Sequence, residues 1–231
     1  DALYYMGLAG WGANESIAGL GPVLNLAAAG DLELGRTSDI VTDAMTAMKL
    51  TAGELNKDGI ENTIHFTNSL AAAMSNSNTD VDQMGEAFKY VSPLAGALGY
   101  DINDLSLALG LMANVGVKGS QAGTGLRQAL KNLIDPTDKV QIAMKKYGVS
   151  LYDDTGKAKD MRTFMNELRG TFGDLSVDIY DSNGELKSGE QIMKEYGHSL
   201  PTTQQEKLNA IVTLFGTRAL PGMLGIIEQG D

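Results

Sequence analysis

Residues 116–136, GVKGSQAGTGLRQALKNLIDP, decide how the chain is read. Gly116, Gly119, Gly123 and Gly125 allow tight turning or close approach of a neighbour, Leu126, Leu130 and Leu133 recur at helical spacing, and Asp135-Pro136 closes the segment. This wording predicts a glycine loop feeding a buried helix, capped by Ser120 or Thr124. Arg127 falls in the early turns, where a cation opposes the helix dipole, so its guanidinium is expected to be held by a carboxylate or a carbonyl.

The glycines do not spell a phosphate cradle. A Walker loop needs Lys-Ser/Thr directly after its last glycine, whereas Lys118 precedes the cluster and no lysine follows Gly123 or Gly125. A dinucleotide fold needs a hydrophobic strand beforehand, and Leu107–Val115 has helical spacing. Packing and chain reversal, with no ligand, are therefore the expected work of Gly119, Gly123 and Gly125.

GVKGSQAGTGLRQAL closely resembles the core motif of phage tail tape measure proteins of the kind found in tailed phages and prophages of Gram-positive bacteria. Further pieces in the same order extend the resemblance over nearly the whole chain: Ala9-Gly10-Trp11, Leu24–Ala29, Asp39-Ile40-Val41, Tyr90–Pro93, Ala97–Gly99 and Phe215-Gly216-Thr217-Arg218-Ala219. Residues 154–199 depart from it by their length. The resemblance implies a structural domain that sets tail length during assembly and occupies the tail tube lumen. It further implies a virion tail assembled in the host bacterial cytoplasm, with copies of itself and other tail proteins as partners, and no enzyme activity. The alternative is a non-viral helical interaction module of a bacterial contractile or secretion apparatus.

Composition bounds the answer separately. With 43% hydrophobic residues over 231 positions the chain has enough apolar side chains for a sizeable core, and no heptad is sustained, so a compact domain is expected rather than a rod. Its start at Asp1-Ala2-Leu3 without methionine and its end at Gly230-Asp231 suggest a piece of a longer protein. A net charge of -11, from 29 acidic against 18 basic residues, disfavours sequence-specific nucleic acid and anionic membranes. Cysteine is absent, which removes disulfides and thiolate chemistry, and no apolar run reaches membrane-spanning length.

Read in order, Ala2–Leu8 is a short helix ending near Gly10, and Trp11 is a wedge between helices. Asn14 caps the next helix, whose face carries Ile17, Leu20, Leu24 and Ala28 and which Gly21-Pro22 kinks or divides. A third helix covers residues 32–48. Thr51-Ala-Gly-Glu54 has capping-box spacing and opens a fourth along Leu55, Ile60, Ile64, Leu70 and Met74. A fifth follows Val81, Met84, Phe88 and Val91 and breaks at Pro93. Asp101 and Asp104 mark the acidic start of a sixth. The eleven methionines fill irregular space between small-residue helices. Val140 to Tyr147 forms a short helix stopped by Gly148.

Periodicity then changes. Val149-Ser-Leu-Tyr-Asp-Asp-Thr-Gly-Lys157 alternates and turns, and Val177-Asp-Ile-Tyr-Asp-Ser-Asn-Gly-Glu185 repeats the wording 28 residues later. Asp153, Asp154, Asp181 and Glu185 lack the full ligand series of a calcium loop, so paired strands with helices at Met161–Leu168 and Gln191–Tyr196 are preferred to a metal site. Thr203 and Glu206 have capping-box spacing for a helix through Phe215, and a last helix carries Pro221-Gly222. Nothing selects a catalytic pair: the serines lack a nucleophile elbow, and His65 and His198 lie far apart. The expected fold is mainly α, a compact multi-helix domain with a small strand-turn-helix excursion near residues 149–200. A helical core spans 1–148, a mixed segment 149–200, and helices returning to the core 201–231. No cofactor and no metal are expected, and the motif residues are Trp11, Gly116, Gly119, Gly123, Gly125, Arg127, Phe215, Gly216 and Arg218.

Overall fold

The computed structural model describes residues 1–56 and 58–229, so the expectation placed on Gly230-Asp231 lies outside the described residues. Twelve α-helices occur among them: α1 Ala2–Leu8, α2 Ala13–Ala29, α3 Leu34–Ala47, α4 Asn62–Asn76, α5 Val81–Leu98, α6 Ile102–Asn114, α7 Gly119–Ile134, α8 Asp138–Tyr147, α9 Met161–Phe172, α10 Gly189–Tyr196, α11 Thr202–Phe215 and α12 Leu220–Gln229. A 3-10 turn at Thr217–Ala219 joins the last two. No β-strand occurs among the described residues, which overturns the strand-turn-helix excursion. Three isolated bridges stand instead, Leu55 with Glu61, Tyr152 with Ala158 and Tyr180 with Leu186.

The reason is local. Tyr152 and Tyr180 do not find each other; each closes a loop on a partner six residues ahead, and a helix starts too soon for a second rung. The Asp153 amide donates to the Lys157 carbonyl at 2.9 Å and the Lys159 amide to the Leu151 carbonyl at 2.8 Å. The second copy is superimposable in its bonds, from Asp181 to Glu185 at 2.9 Å and from Lys187 to Ile179 at 2.8 Å. Gly156 and Gly184 take left-handed backbone at φ 81° and 78°. Asp153 Oδ1 accepts from the Thr155 hydroxyl and the Lys157 amide, and Asp181 Oδ1 from the Glu185 and Asn183 amides, which holds both carboxyls below their ordinary range. Those aspartates thus serve as loop closures, Asx turns in which the oxygen takes backbone donors.

Helix starts differ from expectation wherever a nearer residue does the capping. Gly12 rather than Asn14 precedes α2, its amide donating to Glu15 Oε2 at 2.6 Å. Thr51 and Glu54 open no helix: Asn56 closes a third Asx loop by accepting from the Asp58 and Ile60 amides, and Glu61 caps α4 at the Thr63 amide. Pro201 stands before α11, and Thr203 makes no cap. Pro22 and Pro93 lie inside unbroken α2 and α5. Each removes one backbone donor at a cost of about 3 kcal/mol. Val23 and Leu26 beside Pro22, and Val91 and Ala95 beside Pro93, are buried and offset that cost.

One continuous apolar core runs from Met6 to Ile227, and all eleven methionines are buried in it or packed on it. Phe66 of α4 and Phe88 of α5 meet near its middle with ring centroids 6.0 Å apart, and Tyr147 of α8 meets Phe172 of α9 at 5.3 Å. α2 buries Gly19, Val23, Leu26 and Ala27, so the expected face at Ile17 and Leu24 points outward instead, 71% and 51% exposed. Leu55, Ile60 and Ile64 are likewise exposed, because α4 begins only at Asn62 and buries Thr63, Phe66, Thr67 and Leu70. Several buried hydroxyls are satisfied along their own helices: Thr37 donates to the Glu33 carbonyl, Ser38 to Leu34 and Thr67 to Thr63. Among the described residues no single helix is long and apolar enough to cross a membrane.

Candidate functional site

The 116–136 segment is less loop and more helix than its glycines imply. Gly116 takes φ 88° and Gly119 φ 54°, but α7 begins at Gly119 with Lys118 preceding it. Ser120 and Thr124 are inside the helix rather than capping it, and the Thr124 hydroxyl donates back to the Ser120 carbonyl at 2.7 Å. Gly123 faces α5 so closely that a Cβ there would lie 2.2 Å from the Ala87 carbonyl oxygen. Absence of a side chain is what permits this crossing of α5 and α7.

The second motif folds onto the first. A Cβ on Gly125 would sit 3.6 Å from Ala219 Cα, and one on Gly216 would sit 3.6 Å from Gln128 Cγ. Phe215 is fully buried beside them in sequence. Gly216 takes φ 87°, which frees the chain to reverse from α11 into the 3-10 turn. Residues 116–128 and 215–219 are thus brought together, whereas Trp11 lies apart, half-buried with its ring over Gly19 of α2. Arg127 and Arg218 are exposed and, among the described residues, make no hydrogen bond or ion pair, which corrects the expected anchoring of Arg127. A guanidinium that is held is that of Arg36 in α3: it donates to Asp82 at 2.8 Å, to Glu86 at 2.9 Å and to Asp39 at 3.1 Å, tying α3 to α5. Its contacts raise it further above its ordinary value, the Asp82 bond foremost.

A cleft of about 1310 Å³, which the motifs do not mark, opens between residues 49–56 and the 150–160 loop. Its carboxylates include Glu54, Asp101, Asp104, Asp154 and Glu167, against Lys49, Lys157 and Lys159. Asp101 caps α6 by accepting from the Asn103 and Asp104 amides. Asp104 joins two helices: its Oδ1 accepts from the Met161 amide at 2.8 Å and its Oδ2 from the Asp101 amide at 3.1 Å. Burial nonetheless pushes its carboxyl above the ordinary range, those two amides opposing the shift. Tyr100, 4% exposed, has a hydroxyl with no hydrogen-bond partner, and burial with Asp104 nearby pushes it well up. Tyr100 carries no spacing signal; only the Asp101–Asp104 pair was visible, as a helix start. Among the described residues no three His, Asp or Glu side chains come together to hold a metal ion.

Gly123, Gly125 and Gly216 lie where elements approach one another, and comparison with known proteins gives the class of the chain. The chain belongs to the phage-related minor tail protein family, which it matches over residues 1–216. It is 30% identical over 222 residues to the tape measure protein of Pneumococcus phage Dp-1, covering 96% of this chain and 16% of that protein. It is 30% identical over 137 residues to the probable tape measure protein of Escherichia phage P2, covering 59% of this chain and again 16% of the relative. The chain therefore spans about one sixth of the length of these relatives. No solved structure matches it. These similarities support a general tape-measure-like structural role in a phage tail.

Proposed function

We propose that this chain is one folded domain of a tape measure protein, which sets tail length during assembly and occupies the tail tube lumen. The supporting observation is the similarity along 96% of the chain to a tape measure protein of which it covers 16%. Assembly takes place in the host bacterial cytoplasm, and the product is part of the virion tail. The 1–148, 149–200 and 201–231 segments act together as one unit in this reading. An in-frame deletion of residues 1–231 in the parent phage protein, with tail lengths measured by electron microscopy, tests it. Tails are expected to shorten, by about 350 Å if the segment lies in the tail as continuous helix. Shortening falls to about 45 Å, the size of a compact domain of this length, if it stays folded. A duplication of the segment is expected to lengthen tails by the same amount. Tails of unaltered length in both variants would remove the length-setting role.

The partners in this reading are copies of the same chain and other tail proteins. Leu3, Tyr4 and Leu8 of α1, with Ile17 and Leu24 of α2, are exposed by 51–71% on two helices that touch each other. Apolar surface of this kind favours association. The charge of -11 opposes it at low salt and less once screened. Light scattering on the isolated chain is expected to show self-association that strengthens with salt and is lost in Ile17→Glu/Leu24→Glu. A monomer at every concentration and salt would transfer the role to other tail proteins.

A further inference from the structure

We propose that the cleft between residues 49–56 and 150–160 is a binding site for a lysine-bearing polypeptide segment, whose ammonium group is held by carboxylates of both walls and by the Tyr100 hydroxyl. Among the described residues, seven carboxylates against three lysines line the cleft, so its field favours a cation. Glu54 on one wall and Asp154 on the other are exposed and make no side-chain hydrogen bond among the described residues. Lys159 is already engaged by Glu167. The carboxylates are too dispersed to cage a metal ion, whereas an ammonium on a flexible stem carries three donors and reaches separated acceptors one at a time.

Tyr100 supplies the independent sign. The Tyr100 hydroxyl is one of four buried hydroxyls without a partner among the described residues, with those of Thr63, Ser92 and Ser106, and of the four it alone belongs to the cleft lining. Its charged and polar neighbours are Asp104, Tyr152 and Asp160, all in the cleft lining. Tyr152 is 37% exposed at the start of the 150–160 loop. An entering ammonium donates to the Tyr100 oxygen, and the phenol keeps its own proton. This site is independent of the tail-length reading, and either can fail alone.

The test uses the 231-residue chain and an acetylated, amidated Ala-Lys-Ala-Lys-Ala-Lys-Ala peptide, with its lysine-to-glutamine counterpart and spermidine as further probes, followed by calorimetry and tyrosine fluorescence. The lysine peptide is expected to bind, more weakly as salt rises, and the glutamine peptide not to bind. Tyr100→Phe, which removes only an unpartnered hydroxyl, is expected to melt no lower than the parent while binding about tenfold more weakly. Glu54→Gln/Asp154→Asn is expected to weaken binding by a similar factor. Asp31→Asn/Glu33→Gln, which removes the same charge outside the cleft, is expected to leave it unchanged. Equal binding by Tyr100→Phe and the parent, or equal loss in the two double variants, would overturn the site. Spermidine binding as tightly as the peptide would overturn the polypeptide assignment.

Discussion

Gly123→Ala is expected to lower stability by about 3 kcal/mol, at the upper end of what overpacking costs. The added methyl would stand 2.2 Å from the Ala87 carbonyl oxygen, 2.8 Å from Ala87 C and 2.8 Å from its Cα. All three atoms are backbone, so no side chain can swing aside, and α7 must separate from α5. In a chain of this length that is about 10 °C in melting temperature. Gly123→Val is expected to cost more. Gly170→Ala is the control: Gly170 is inside α9 with open space where its methyl would go, and the substitution is expected to raise stability by about 0.5 kcal/mol. Equal melting of Gly123→Ala and the parent chain would show that the α5–α7 crossing has slack.

Asp104→Ala is expected to cost about 3 kcal/mol, since it leaves the Met161 and Asp101 amides without their acceptor. Asp104→Asn keeps one acceptor oxygen and is expected to lose less. The pH response separates charge from shape. The folded chain holds this carboxyl above its ordinary value, so it takes up a proton more readily folded than unfolded. Its contribution to stability is full below the unfolded value and is lost as pH rises through the folded one. The parent should therefore gain on Asp104→Asn as pH falls through the range just above the ordinary carboxylate value. Urea midpoints of both chains across that range measure this directly. A constant difference would mean that burial at Asp104 leaves its titration unaltered.

Local signals were legible wherever the residues that start or stop a helix are near neighbours. Asp101 and Asp104 begin α6, Gly148 at φ 68° ends α8, and Ala2–Leu8 stops before Gly10. Alternation at 149–152 and 177–180 did not lead to strands, because a strand needs a ladder and each stretch meets a loop too short to supply one. The third Asx loop escaped notice because Asn56 stands where the other two have aspartate, and Leu55 where they have tyrosine. Pro22 and Pro93 misled because the burial of neighbours such as Val23 and Val91, which offsets a missing amide, is set by packing against other helices. Arg36 shows the same divide: Asp39 lies three residues on, whereas Asp82 and Glu86 are reached only by folding. The cleft depends on segments about a hundred residues apart and has no motif of its own.

The two loop-helix units at 149–172 and 177–196 are wired alike to a depth beyond their loops. Lys159 pairs with Glu167 and Lys187 with Glu195, at the same offset from Asp153 and Asp181. Asp160 caps α9 and Ser188 caps α10 at the equivalent place. Every one of these bonds closes within a span of about twenty residues, so such a unit is a cassette: it brings its own turn, cap and ion pair. Adding one lengthens the chain by 28 residues without rewiring any earlier hydrogen bond, and doubling a connection costs only about 0.6 kcal/mol of closure entropy. What a new copy must still find is a groove for its apolar stripe, as Phe164 and Leu168 find in the core. Growth by tandem copying is thus limited by available surface and not by folding of the insert.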